Sequence, residues 1–237
     1  MRTLRNNIFF ILSYVVVMAC PATANVIPER YQRGEVVHYD IKKVGLRVGS
    51  ASLTYHGPVE VKGGQFILIT FKAQAMKFYD EERIYLHPQT FYPMRVERDL
   101  NIWGKKEKIV EEYDQAKGIV RINKRVGEER TTLVIEKKSV IDNVYAFIYR
   151  YRESGHFVMN ETMNLSLPTK QVKIKVLDKR TFSTAGQDFE AYYMQSEPKQ
   201  YKLWFDTSPQ RIPLRIDGAI GIGKASLIMQ SYHPYGE

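Results

Sequence analysis

The sequence predicts a mainly β protein, a large curved antiparallel sheet or incomplete barrel with one main helix. Three observations predict it. From Val36 onward, apolar residues fall at every second position in run after run, the spacing of half-buried strands. Polar residues or glycines break these runs at short intervals. Only one segment has helical spacing, and no proline- or glycine-rich linker, internal repeat or low-complexity tract divides the chain.

The elements follow in chain order. Arg2 and Arg5 precede an apolar run from Ile8 to Met18, interrupted by Ser13 and Tyr14. A bilayer span takes about 20 apolar residues, so this run is too short. A basic head, a short apolar body and a small-residue exit form the pattern of a secretory signal. The exit has two readings. Ala22-Thr23-Ala24 behind Pro21 is a small-x-small cleavage site, which makes residues 1–24 a signal peptide and 25–237 a single β-rich domain starting at Asn25. Val17-Met18-Ala19-Cys20 instead has the form of a lipobox, with lipidation at Cys20. The first reading predicts a periplasmic protein, and the alternative is a membrane-anchored lipoprotein held through Cys20.

Strand-like alternation then covers Val36 to Asp40, Ala51 to Tyr55, Gln65 to Ala75, Glu82 to His87, Pro93 to Leu100, Lys108 to Asp114, Gly118 to Asn123 and Thr131 to Lys137. Gly63-Gly64 between two such runs is a hairpin signal, because both glycines tolerate positive φ. The stretch "SVIDNVYAFIYRYRES", Ser139 to Ser154, has apolar residues at 140, 141, 144, 145, 147, 148 and 151, which is helical spacing. Ser139 or Asp142 is expected to cap it and Gly155 to stop it. Further strands are expected in "VKIKVLDKRTFST", "FEAYYMQS", "YKLWFD", "IPLRID" and "KASLIMQSY". A sheet of this length curls, and if side chains do not fill its interior it encloses an apolar cavity. The helix must bury its stripe against that sheet, and partial cover is the expectation. Tyr145, Phe147, Tyr151 and Trp204 are then the candidate ligand-binding wall residues, and Asp142, Arg150 and Arg152 are left for the polar side of the helix.

Composition narrows the chemistry. The chain has 237 residues, one cysteine and a net charge of +9. Loss of Arg2 and Arg5 with the signal leaves +7. Cleavage after Ala24 would also remove the cysteine, so no disulfide could staple the fold and no thiolate metal site could form. The positive excess suits anionic headgroups or acidic polysaccharide. No nucleic-acid module is present. The five histidines, His38, His56, His87, His156 and His233, lack ligand spacing, so no metal site and no cofactor are expected. Gly221-Ile-Gly223 lacks the third glycine and the helix of a dinucleotide loop. Asn160-Glu161-Thr162 and Asn164-Leu165-Ser166 match glycan acceptors by form alone. No catalytic residue is assigned.

"GEVVHYDIKKVGLRVGSASL", "DNVYAFIYRYRES" and "YKLWFDTSPQRIPLRIDGAIGIGKASL" together, in this order, give a resemblance over nearly the whole mature chain. The sequence resembles the exported bacterial proteins of the domain of unknown function 3108 family. The residues that carry the resemblance are Gly34-Glu35, Tyr39, Gly45, Gly49, Asp142, Trp204, Arg211-Ile212-Pro213 and a late glycine. Trp204-Phe205-Asp206 with Pro213 is also similar, more distantly, to a strand pair in outer-membrane lipoprotein carriers of half-barrel fold. The family resemblance implies a β-rich, envelope-located protein and brings no catalytic residues. Structure alone explains its motifs. Gly45 and Gly49 suit a turn or close backbone approach, Asp206 to Pro209 suits a hairpin turn, and Pro213 suits an edge or strand start.

Two functions are expected from these readings. The leading one is a non-catalytic periplasmic or envelope protein that binds an apolar or amphiphilic ligand, such as a lipid, or an envelope assembly partner. In it, membrane contact comes only through a lipidated Cys20 or the basic surface. The alternative is an envelope enzyme acting on polysaccharide or peptidoglycan through acids such as Glu81 and Glu112, which would require two carboxylates facing each other roughly 5–10 Å apart.

Overall fold

The computed structural model describes residues 32–218, 220 and 225–235. The expected signal, Cys20, the Asn25 start and the Gly221–Gly223 segment lie outside these. Among the described residues there are fourteen strands and one helix: β1 (Glu35–Lys43), β2 (Leu46–Val61), β3 (Gly64–Ala75), β4 (Phe78–Leu86), β5 (Pro93–Ile102), β6 (Lys105–Asp114), β7 (Ile119–Val126), β8 (Glu129–Glu136), α1 (Val144–Ser154), β9 (Thr162–Leu167), β10 (Lys170–Thr184), β11 (Gln187–Glu197), β12 (Lys202–Asp206), β13 (Pro213–Asp217) and β14 (Ser226–His233).

All fourteen form one antiparallel sheet, in the order β8-β7-β6-β5-β4-β3-β2-β1-β14-β13-β12-β11-β10-β9. It is mainly β with one helix, as the alternation predicts, and it is not closed into a barrel. Hairpins build each half, and β1 pairs with β14 to join them. The two edges, β8 and β9, are therefore the strands that flank α1 in the chain, while α1 itself packs on the inner face of the sheet. The connection from β8 to α1 spans the seam. The Lys137 ammonium donates to the Leu167 and Lys170 carbonyls, its N–H donates to the Gly118 carbonyl, and the Asp142 N–H donates to the Ser166 carbonyl.

Two glycines show why turn chemistry was legible. Gly45 has φ +82 in the β1–β2 turn, and a Cβ on Gly49 would come within 2.3 Å of the Gln74 carbonyl oxygen on β3. At the β2–β3 turn the residues with positive φ are Lys62 and Gly63, and Gly64 already belongs to β3. Val61 opposite Gly64 closes the hairpin one residue earlier than a Gly63-Gly64 turn would. Pro213 opens β13, where its missing N–H costs no interior ladder bond.

The helix differs from its expected form at its start. Asn143 is the N-cap, and its side-chain oxygen accepts from the Tyr145 and Ala146 N–H groups. Ser139 and Asp142 lie ahead of it. Asp142 instead accepts a bidentate ion pair from Arg150. Gly155 ends the helix at φ 61, as expected. Seven of the eleven helix residues are buried, so α1 is wrapped by the sheet and has no broad polar side. Arg152 was expected on that polar side but is 0% exposed. It is paired with Glu35 of β1 at 2.7 and 2.9 Å and donates to the Gln210 carbonyl.

Candidate functional site

The inner face beneath α1 is packed. Tyr145 stacks on Phe71 of β3 at 4.1 Å between ring centroids, and Tyr149 stacks on Tyr55 of β2 at 5.7 Å. Phe147 stacks on Tyr151, which packs against Phe157 and Phe205. Tyr145, Phe147 and Tyr151 are each at most 5% exposed. These rings fill the space in which partial cover was expected to leave a cavity. Trp204 does not join them. Phe205 faces the helix, so alternation along β12 turns Trp204 to the opposite, outer face. There it packs on Tyr193 at 4.7 Å and Phe182 at 5.8 Å, with the Arg215 guanidinium 4.7 Å from its ring. The four candidate wall residues thus belong to two faces and line no common space.

A polar network occupies the inner face of β4 to β6, beside the start of α1. Arg98 holds Asp80 through two hydrogen bonds of 2.7 and 2.5 Å and approaches Glu82 at 3.4 Å. The Asn143 amide donates to Glu82, and Tyr113 donates to Glu111. Burial pushes the Glu82 carboxyl up to about 7, with Arg98 opposing and Asp80 and Glu111 adding to the rise. Burial also raises the Glu111 carboxyl. The Tyr145 hydroxyl is buried near Asp80, Glu82 and Arg98 without a hydrogen-bond partner among the described residues.

The open space lies at the seam. A cleft of about 760 Å³ is lined by Tyr92, Ser139, Val140, Asp142, Asn164, Ser166, Gln171, Val172, Lys173, Glu197 and Pro198. A second depression of about 790 Å³ shares Lys173, Glu197 and Pro198 and adds Thr162, Lys175, Leu177, Gln195, Ser196 and Lys199. Together they form a groove from the seam across the outer face of β9 to β11. The register places Lys173 between Asn164 and Glu197, and Lys175 between Thr162 and Gln195. Among the described residues Lys173, Lys175 and Lys199 make no ion pair within salt-bridge distance. The groove therefore offers ammonium groups, with the Glu197 carboxylate opposite Lys173, beside the apolar Val140, Leu177 and Pro198. Sequence reasoning did not single out these lysines. For Lys173 and Lys175 the signal was the every-second-residue spacing of "VKIKVLDK", which reads equally as an ordinary solvated strand face, and Lys199, between β11 and β12, had no such signal.

Glu81 and Glu112 do not meet. Both point to the outer face, Glu81 accepting from the Tyr79 hydroxyl and Glu112 from Arg95. Glu81 is opposite Asp99, whereas Glu112 is opposite Arg95, four residues along β5. Strand geometry puts them roughly 16 Å apart, outside the range of a facing acid pair. Among the described residues no three His, Cys, Asp or Glu side chains gather in a way that could hold a metal ion.

A family model described as "Protein of unknown function (DUF3108)" matches residues 36–230. No curated protein matches the chain. Among solved structures, the chain is similar to a β-barrel-like protein of the DUF1849 family from Brucella abortus, at 8% identity and TM-score 0.49, covering 86% of this chain and 99% of that one. It is also similar to a protein named as exported, with a YmcC-like fold, from Bacteroides fragilis, at 8% identity and TM-score 0.29, covering 86% and 97%. A third is a protein named as a lipoprotein from Parabacteroides distasonis, at 7% identity and TM-score 0.28, covering 86% and 96%.

Proposed function

This chain belongs to the DUF3108 family, and from that premise we propose that it is a non-catalytic protein of the bacterial envelope that binds an anionic amphiphile of the lipid class in the seam groove. The observation that carries the proposal is the groove itself, where Lys173, Lys175 and Lys199, without an ion pair among the described residues and outnumbering the Glu197 carboxylate, border Val140, Leu177 and Pro198. Such a surface matches a ligand with a charged head and an apolar body, since ammonium groups gain most from an anion where a low-dielectric wall limits screening. Export follows from the pattern of residues 1–24, with release at Asn25, and an intact mass carrying acylated Cys20 would overturn release.

The test is flotation with vesicles, comparing phosphatidylglycerol with phosphatidylcholine, alongside native mass spectrometry of protein taken from its own envelope. Expected are binding to the anionic vesicles that weakens with salt, co-purified lipid, and at least a tenfold loss of vesicle affinity on combined Lys173→Glu, Lys175→Glu and Lys199→Glu substitution. Equal binding to both vesicles, no binding, or a charge-reversed protein that binds as well as the native one would overturn it.

A further inference from the structure

We propose that the free edge of β8 pairs with β8 of a second copy of this chain, in antiparallel register about Leu133, joining the two sheets across a twofold axis. The two edges of the sheet are treated differently. At β9, Leu165, Ser166 and Leu167 are buried, and the Ser166 and Leu167 carbonyls accept from Asp142 and Lys137. Among the described residues, β8 has no such cover. Glu129 through Val134 and Glu136 are exposed and only Ile135 is partly buried, with Leu133 at 53% and Val134 at 51%. Soluble proteins blunt an open edge with proline, a bulge, lysines or a covering segment. β8 has no proline and no lysine, and its register with β7 is unbroken. Its centre, "TTLVI", is uncharged and rich in β-branched residues, the composition that favours strand pairing.

The occupant follows from charge and register. Lys137 directs its N–H to Gly118 on the β7 side. Alternation then turns the N–H and C=O groups of Arg130, Thr132, Val134 and Glu136 toward the free edge. Arg130 sits opposite Arg125 within the chain, a like-charge pair, and neither Arg130 nor Glu136 has an ion-pair partner within salt-bridge distance among the described residues. An antiparallel pairing of two β8 strands about Leu133 sets Arg130 of each copy against Glu136 of the other. It also sets Thr131 against Ile135 and Thr132 against Val134, and brings the two Leu133 side chains together. Every residue from Arg130 to Glu136 thus meets a compatible neighbour on its own face, and the two unpaired opposite charges neutralise each other twice. A strand of unrelated sequence would have no reason to match both ends at this six-residue spacing.

The experiment is sedimentation velocity on the exported chain across a concentration series, with circular dichroism to confirm that each variant is folded. The native chain is expected to dimerise. Val134→Pro removes an N–H that faces the free edge and spares the β7 ladder, so it should yield a folded monomer. Arg130→Glu places glutamates opposite each other and should raise the dimer Kd about tenfold or more. The exchanged double variant Arg130→Glu with Glu136→Arg should restore the native Kd. A native chain that stays monomeric at every concentration overturns the proposal. A dimer that survives both Val134→Pro and Arg130→Glu overturns it too, because its interface must then lie elsewhere.

Discussion

Buried charge marks the places where distant parts of the chain are brought into register. Arg152 and Glu35 are both fully buried, and Tyr232 donates a further hydrogen bond to Glu35. Such a pair adds little net stability over an apolar one, but losing one partner strands the other. Its structural effect is to hold the end of α1 against β1. Glu82 is the converse case, a carboxyl that burial disfavours in its charged form. In the folded protein it keeps its proton up to about 7, whereas its ordinary value is 4.5. The native state therefore binds a proton that the unfolded chain has already released. This group's contribution to stability is fully present below its ordinary value and is lost as pH rises through 7. Glu111 and Asp142 are shifted in the same direction by burial. Glu82→Gln keeps an acceptor for Asn143 and removes the ionisation. It should stabilise the protein at pH 8 by on the order of 1–3 kcal/mol and flatten the dependence of Tm on pH between 5 and 8. A Tm at pH 8 below that of the native protein would contradict the sign.

At the scale of elements, α1 acts as core. Its rings pack against β2, β3 and β12 at once, so truncating one leaves a void that the surrounding strands cannot readily close. Phe147→Ala should cost about 3–5 kcal/mol, measured by urea denaturation. A cost below about 1 kcal/mol, together with weaker binding of an apolar fluorescent probe, would instead make Phe147 a cavity wall. The helix and most strands were readable because alternation and helical spacing are properties of neighbouring residues. β9 was not. "TMNLSL" does alternate, with Met163, Leu165 and Leu167 apolar, but three apolar positions make a short signal, and the burial of Leu165, Ser166 and Leu167 in succession departs from the one-face burial that alternation implies. It is a strand because β10 pairs with it and the seam segment covers it.

The whole molecule is tied by its ends. β1 and β14 are paired, and α1 contacts both halves of the sheet, through Phe71 and Tyr55 on one side and Phe205 on the other. Neither half can lose its strands without exposing the aromatic core of the other. Calorimetry should therefore show one cooperative transition that coincides with loss of the near-ultraviolet circular dichroism signal. Two separated transitions would mean two independent units.

The sequence by itself determined the class of fold, most of the strands, α1 with its Gly155 stop, the turn at Gly45, the strand start at Pro213, and the family. The family rests on the order of its motifs along the chain, and each of the others depends on local chemistry: a residue's conformational range, or apolar spacing within a few residues. Only the tertiary structure decided which face each residue occupies and what it meets there. "KLWFD" is an apolar run without alternation, so nothing local says that Phe205 points to the helix and Trp204 away from it. Arg152 reads as a surface residue until the fold brings Glu35 to it from 117 positions earlier in the chain. The seam groove has no sequence signature for the same reason. It exists because β8 and β9, separated in the chain by the helix, end up as the two edges of a sheet that does not close, and the side chains lining it come from segments whose meeting is set by packing.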